Sequence, residues 1–261
     1  MQFETILLII IFVYGVIIGS FLNVLIYRLP LKENIATERS HCMKCGNKIK
    51  WYDLVPLVSY ILLRGKCRHC KEKISVQYPL VELANGIGYV WIFYANGGIS
   101  TDITVVVDSI LFCLCTSALL VLSVIDWRTY EIPVQLNIFI LITGIARVIN
   151  YRNNSDEIIE LLIGMIAVSV PLLLLFYLTK GRGIGGCDVK LMAAAGLLVG
   201  VGNIVLALVL GCVIGSIIHI ALMKICKRDN VLAFGPYLSI GIFITMLYGE
   251  QIIEWYMQFY S

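Results

Sequence analysis

The chain has 261 residues, of which 59% are hydrophobic and only 14% charged, with a formal net charge of +3 and a mean hydropathy of +0.89. Soluble domains carry about a quarter charged residues, so this composition excludes an ordinary soluble globule and indicates a chain integral to a bilayer. The small positive balance gives no footprint for nucleic acid, and membrane topology and a metal site account for the basic residues.

A crossing needs about 20 mainly apolar residues. Candidate segments fall at 4–27, 79–96, 104–125, 132–149, 158–179, 189–201, 203–223 and 235–257. The expected fold is therefore an all-α polytopic membrane protein of about eight transmembrane helices. Residues 189–223 are too long for one helix and slightly short for two; Gly196, Gly200 and Gly202 offer a turn, so two spans are predicted there, the first of them short.

The first segment lacks the basic start of a secretory signal, having Glu4 in front and Arg28 behind, and reads as a retained helix. Eleven of the twenty basic residues lie in 28–78, which predicts that this loop is cytoplasmic and the N-terminus outside. Alternation from there puts Arg128, Lys180, Arg182, Lys190, Lys224, Lys227 and Arg228 on the same inner side and leaves Arg147 and Arg152 outside. The implied layout is a first transmembrane helix (1–27), an inserted cytoplasmic domain (28–78) and a membrane domain with about seven further helices (79–261).

The loop 28–78 contains "HCMKCGNKI" and "CRHCKEKI", two copies of C-x-x-C-x-x-K-I. Cys42, Cys45, Cys67 and Cys70 have the paired-knuckle spacing of a tetrahedral structural zinc site. Two disulfides are the competing pattern, which a reducing cytoplasmic face disfavours. Lys44, Lys48, Lys66 and Lys73 offset the charge of a four-thiolate centre, and His41 and His69 read as bystanders. With few apolar residues in the loop, metal is expected to supply much of its folding energy. The basic loop also suits contact with anionic lipid headgroups. Of the other cysteines, Cys113, Cys115, Cys212 and Cys226 read as small packing residues, whereas Cys187 stands directly before an aspartate.

Glu82, Asp108, Asp126 and Asp188 fall inside or at the edges of spans, where a charge is costly and usually functional. Asp126 ends the third span in "VLSVIDWRTYEIP" and Asp188 opens the sixth in "GGCDVKL", both at the cytoplasmic boundary. Two carboxyl groups brought to one depth can share a proton, one donating while the other accepts from water, which is the equipment of an aspartic protease. They titrate as a unit, so neither is separately acid or base. The competing roles are an N-cap for Asp188 and a pairing of Asp126 with Arg128 or Lys190. Gly181, Gly183, Gly185 and Gly186 suit close backbone approach by an extended peptide, and equally a flexible loop.

These segments together resemble the type IV prepilin peptidases, membrane aspartic proteases that process pilin-like precursors and, in bacteria, also methylate the new N-terminus. The resemblance runs nearly end to end through "GSFLNVLIYRLP", the two knuckles, "YPLVELANG", "DWRTYEIP", "GIGGCDVKLMAAAG" and "FGPYLSIG", in that order. It implies that Asp126 and Asp188 are the catalytic pair, that the four cysteines are the metal ligands, and that the substrates are prepilins or pseudopilins in a bacterial cytoplasmic membrane. It also implies S-adenosyl-L-methionine as methyl donor, although no Rossmann turn of the G-x-G-x-x-G kind follows a strand and no residues for the donor are legible. Gly185, Gly186, Cys187 and Lys190 are candidates for the substrate-facing loop, and Glu82 for recognising a basic leader or for an interhelical hydrogen bond. The family's GxGD pattern would put glycine where this chain has Cys187. If the position needs positive φ, cysteine strains the loop; if it needs only a small residue, cysteine serves. Two other classes stand beside this one. A proton-coupled transporter would use Asp108, Asp126 and Asp188 through the bilayer depth, and an inactive assembly homologue would retain only the fold.

Overall fold

Each apolar run expected to cross a membrane forms a helix, the form in which a segment satisfies its own backbone polar groups away from water. A computed structural model describes residues 2–35, 40–100, 102–181, 183–226 and 233–259, except the side chains of 2, 3, 225 and 226. Arg182, Lys227, Arg228 and the side chain of Cys226, used in the charge and cysteine readings, lie outside the described residues. The chain divides into two units, Met1–Trp91 and Ile92–Ser261.

In the first unit, α1 (Gln2–Leu31) packs antiparallel to α3 (Gln77–Ala95). A Cβ on Gly15 would lie 2.9 Å from Gly86 Cα, and one on Gly19 would lie 2.7 Å from Glu82 Cα, so the two backbones nearly touch. Asn85 Nδ2 donates to Gly15 O at 2.8 Å and Asn23 Nδ2 to Tyr78 O at 3.1 Å. The pairs 15/86, 19/82 and 23/78 step by four residues on each helix, the pattern of small residues and polar ties expected at a membrane helix interface. Between these helices lie the two knuckles, a 3-10 turn (Trp51–Leu54) and the short helix α2 (Val58–Leu62).

The second unit comprises α4 (Ile103–Thr129), α5 (Val134–Asn150), α6 (Ser155–Ala167), α7 (Ser169–Leu178), α8 (Gly186–Val199), α9 (Val201–Cys226) and α10 (Gly235–Met257). Its core centres on α4 and α8, where Leu122, Ile125, Leu191, Met192 and Leu198 are fully buried against Ile140 of α5 and Leu238 and Ile242 of α10. The expected span 158–179 is two helices meeting at Val168, because Pro171 lacks an N–H and its ring crowds the carbonyl of the residue four before it. The turn expected among three glycines is made by Gly200 alone, at φ 87°, a conformation that costs an L-residue dearly. Gly196 instead lies within α8, against the Gly164 backbone of α6.

Among the described residues, four stretches are long and apolar enough to cross a membrane: Glu4–Leu31, Ile103–Thr129, Ser155–Leu178 and Val201–Lys224. Val134–Asn150 is a shorter apolar helix. No β-strand forms among the described residues, and the two knuckles contribute isolated bridges.

Candidate active site and metal centre

The two knuckles are copies of one another in space as in sequence. In the first, Cys42 N donates to Asn47 O, Gly46 N to Cys42 O and Ile49 N to Ser40 O; in the second, Cys67 N donates to Glu72 O, Lys71 N to Cys67 O and Ile74 N to Gly65 O. The residue after the second cysteine takes the left-handed conformation in both, Gly46 at φ 68° and Lys71 at φ 59°. The four sulfurs all lie within 4.8 Å of one another, and Cys42 Sγ is 3.8 Å from Cys70 Sγ. A tetrahedron with Zn–S bonds of about 2.3 Å has S···S edges of about 3.8 Å, so these side chains fit a zinc ion. The N–H groups of Cys45 and Lys44 aim at Cys42 Sγ and bring its thiol down to about 6, favouring the thiolate a metal needs. Neither His41 nor His69 belongs to the cluster.

In the second unit, Asp126 occupies the last turn of α4, which Tyr130 ends in a left-handed cap with its N–H on Asp126 O. Gly235, the first residue of α10, donates its N–H to Asp126 Oδ2 at 2.9 Å. Asp188 sits in the first turn of α8. The Gly185 backbone N–H donates to its carboxylate. The helix begins at Gly186 with Gly185 as its cap, so Asp188 lies inside the first turn and is not an N-cap. Both carboxyl groups are buried, and they are near enough for the charge of Asp126 to act on Asp188. Each therefore accepts from a glycine amide at a helix start, an arrangement that suits negative charge.

Cys187 is helical, in the first turn of α8 and not at positive φ, so its backbone is one any small residue adopts. Its carbonyl accepts from Asn137 Nδ2 of α5 at 3.2 Å. Because only the amide nitrogen can face that carbonyl, Asn137 Oδ1 is the other end, and it is buried with no protein donor. Gly186 opens α8 and Lys190 is exposed on it. Glu82, in the first unit, is buried, and its carboxylate accepts from the Leu57 N–H at 2.8 Å and from the Ser20 hydroxyl.

Asp108 lies elsewhere, in the N-terminal part of α4. The eighteen residues from Asp108 to Asp126 span about 27 Å of helix. Its carboxylate accepts from Arg147 Nε at 3.0 Å, Asn150 Nδ2 at 2.9 Å and Tyr151 OH at 2.8 Å, and Arg147 also donates to Leu198 O and lies over Phe112. It is one member of a fully partnered ion cluster.

Sequence reasoning missed Gly235 and Asn137 as parts of this site. Gly235 lay within the quoted "FGPYLSIG" without a role, and nothing marked Asn137 as different from the apolar helix around it.

Known proteins resemble this chain along most of its length. Residues 13–96 match the bacterial peptidase A24 N-terminal domain, and residues 113–220 match the type IV leader peptidase family. The chain is 36% identical to the prepilin leader peptidase/N-methyltransferase of Vibrio cholerae serotype O1, over 93% of this chain and 97% of that one. It is 32% identical to the protein of the same name from Stutzerimonas stutzeri (95% and 92% covered) and 31% identical to that of Pseudomonas aeruginosa (94% and 91%). No solved structure gives a significant match. On these matches, the chain belongs to the type IV leader peptidase family.

Proposed function

We infer that this enzyme is a prepilin leader peptidase and N-methyltransferase of a bacterial cytoplasmic membrane, and that Asp126 and Asp188 are its catalytic pair. The observation that carries the assignment is the meeting of two buried carboxyl groups, each holding a glycine amide. The chain would cross the membrane about eight times, with the N-terminus outside and the loop 28–78 and both aspartates on the cytoplasmic side. The charge distribution supports that orientation, and the helical state of every expected segment supports the count. The layout of first helix 1–27, zinc domain 28–78 and membrane domain 79–261 is part of the same reading.

In this mechanism one carboxylate takes a proton from water as the oxygen attacks the scissile carbonyl, and the other, protonated, hydrogen-bonds the carbonyl oxygen and then supplies a proton to the departing amine. The substrate would be a prepilin or pseudopilin, whose apolar helix lies in the bilayer and brings the cleavage site to the membrane boundary. The helix α8, about 21 Å long at fourteen residues, is shorter than a hydrocarbon core of about 30 Å, so as one of these crossings it would set Asp188 slightly inside that boundary.

Zinc would be held by Cys42, Cys45, Cys67 and Cys70, where it supplies a structural cross-link and takes no part in the cleavage. S-adenosyl-L-methionine is the methyl donor that the relatives' names imply. No strand exists among the described residues to carry a Rossmann turn, and no residues are assigned to that step.

The test is cleavage of a model prepilin in liposomes by the chain and by Asp126→Asn and Asp188→Asn. Each variant should retain its zinc and lose about 10³-fold or more of the rate. A folded variant that still cuts near the parental rate would remove that residue from the pair.

A further inference from the structure

We propose that residues 51–63, "WYDLVPLVSYILL", form a re-entrant element whose apolar side chains face phospholipid acyl chains, pinned at hydrocarbon depth by Glu82. This rests on α1 crossing the bilayer and not on the assignment of the catalytic pair.

Depth follows from the register of α1 on α3. The helix α1 has 30 residues, and a crossing takes about 20, so any crossing placed within residues 2–31 includes about residues 12–21. Glu82 packs its Cα against Gly19 and takes the Ser20 hydroxyl, so its carboxylate lies in that obligatory stretch. The Leu57 N–H is 2.8 Å from the same carboxylate. The chain on either side of Leu57 is therefore held beside α1 well below its end at Leu31, about 18 Å further along the helix.

The side chains are those of a lipid-facing surface. Trp51, Ile61 and Leu62 are 80%, 73% and 76% exposed, and Leu54, Val55 and Val58 are exposed with them. In water this would be a large unpartnered apolar ridge on a fifty-residue loop; at the depth fixed by Glu82 it meets acyl chains. Trp51 and Tyr52 stand at one end beside Lys50, and Arg64, Lys66 and Arg68 follow at the other, the arrangement of an aromatic and basic collar at anionic headgroups.

Non-helical backbone survives at that depth only if its polar groups are satisfied internally. Pro56 brings no N–H. Leu57 is the centre of a positive-φ γ-turn (φ 58°, ψ −51°), closed by Val58 N on Pro56 O at 2.6 Å, a strained and rare form. The turn leaves the Leu57 N–H pointing away, and Glu82 receives it. Ser59 N bonds Val55 O, Ile61 N bonds Leu57 O and Leu63 N bonds Ser59 O, while Ser59 Oγ bonds Tyr52 O. The strain at Leu57 and the burial of a carboxylate thus have a common explanation: together they let the chain reverse inside the membrane edge.

The experiment places the photoreactive p-benzoylphenylalanine at Ile61 or Leu62 of the full zinc-loaded chain, in liposomes of phosphatidylcholine and phosphatidylglycerol, and identifies adducts by mass spectrometry. Phospholipid adducts are expected at both positions and not with the same probe at His69 on the second knuckle. Glu82→Ala should lower the lipid yield several-fold, and Glu82→Gln, which keeps an acceptor oxygen, should not. Zinc content and prepilin cleavage measured on the same samples show separately whether the fold and the peptidase reading hold. Absence of lipid adducts at both positions, or adducts that pass to prepilin when it is added, would overturn the proposal. An unchanged yield in a folded Glu82→Ala protein would overturn the pinning.

Discussion

Gly235 and Asp126 stand 109 positions apart in sequence and share a 2.9 Å hydrogen bond, from the first amide of α10 to the carboxylate at the end of α4. A Cβ on Gly235 would lie 2.7 Å from Asp126 Oδ2 and 2.9 Å from Leu122 Cδ2, so these side-chain ends must shift to admit it. Gly235→Ala should therefore displace the carboxylate while leaving the helices intact. The expected loss of prepilin cleavage is about 10- to 100-fold, mostly in kcat, since misplacement of a catalytic group by about 1 Å has that cost. The check is steady-state kinetics beside a thermal melt, and parental kcat in the variant would show that this amide does not position Asp126.

The turn before Asp188 gives a second prediction. Because Cys187 is already helical, Cys187→Gly should give no gain in cleavage and should cost about 0.5–1 kcal/mol of stability, as glycine does within a helix. Asn137→Leu is expected to do more. It removes the donor to Cys187 O and the buried Oδ1 that faces no protein donor, the atom suited to receive a water or a substrate N–H. A fall in kcat for Asn137→Leu, partly restored in Asn137→Gln, would place the amide in the reaction's hydrogen-bond network.

For the metal centre, Lys71 offers a direct comparison with its counterpart Gly46. Both are left-handed, and only lysine bears a Cβ there. Lys71→Gly should relieve strain worth about 0.5–1 kcal/mol net of the added freedom of the unfolded chain, seen as slower zinc release to a chelator. Full removal of zinc should unfold both knuckles together, since one ion at this cluster would take ligands from each.

The helices were legible because apolar runs of span length have few other fates in a bilayer. The four cysteines were legible because the ligand spacing of a knuckle is local. What escaped was long-range or too short. Nothing near Gly235 signals a carboxylate brought from α4, and Asn137 is one of several polar residues in a mainly apolar helix. The stretch 51–63 was absorbed into a loop expected to hold few apolar residues. Its thirteen residues are too few for a crossing, and Asp53, Pro56 and Ser59 interrupt them. Only the Leu57–Glu82 hydrogen bond reveals its depth. Glu82 itself stood open between leader recognition and a hydrogen bond, and its carboxylate holds Leu57 and Ser20.

Asp108 separates a structural ion cluster from a proton path. Its carboxylate carries Arg147, Asn150 and Tyr151, and Arg147 in turn joins α5 to the end of α8 through Leu198 O. A proton carrier needs a carboxyl group that can exchange partners, whereas this one closes a knot between α4, α5 and α8 at the end of the unit away from Asp126. Removing one partner of a buried pair leaves the other charge uncompensated, so Asp108→Leu should destabilise the protein by about 3–5 kcal/mol. Pairing it with Arg147→Met removes the stranded charge and should recover much of that loss, because two apolar side chains of similar volume can replace a buried ion pair. Thermal melts in detergent read the stability, and prepilin cleavage per folded molecule should remain close to parental in the double variant. A double variant that folds well and yet has lost cleavage would show that the cluster takes part in the chemistry from a distance of about 27 Å along α4.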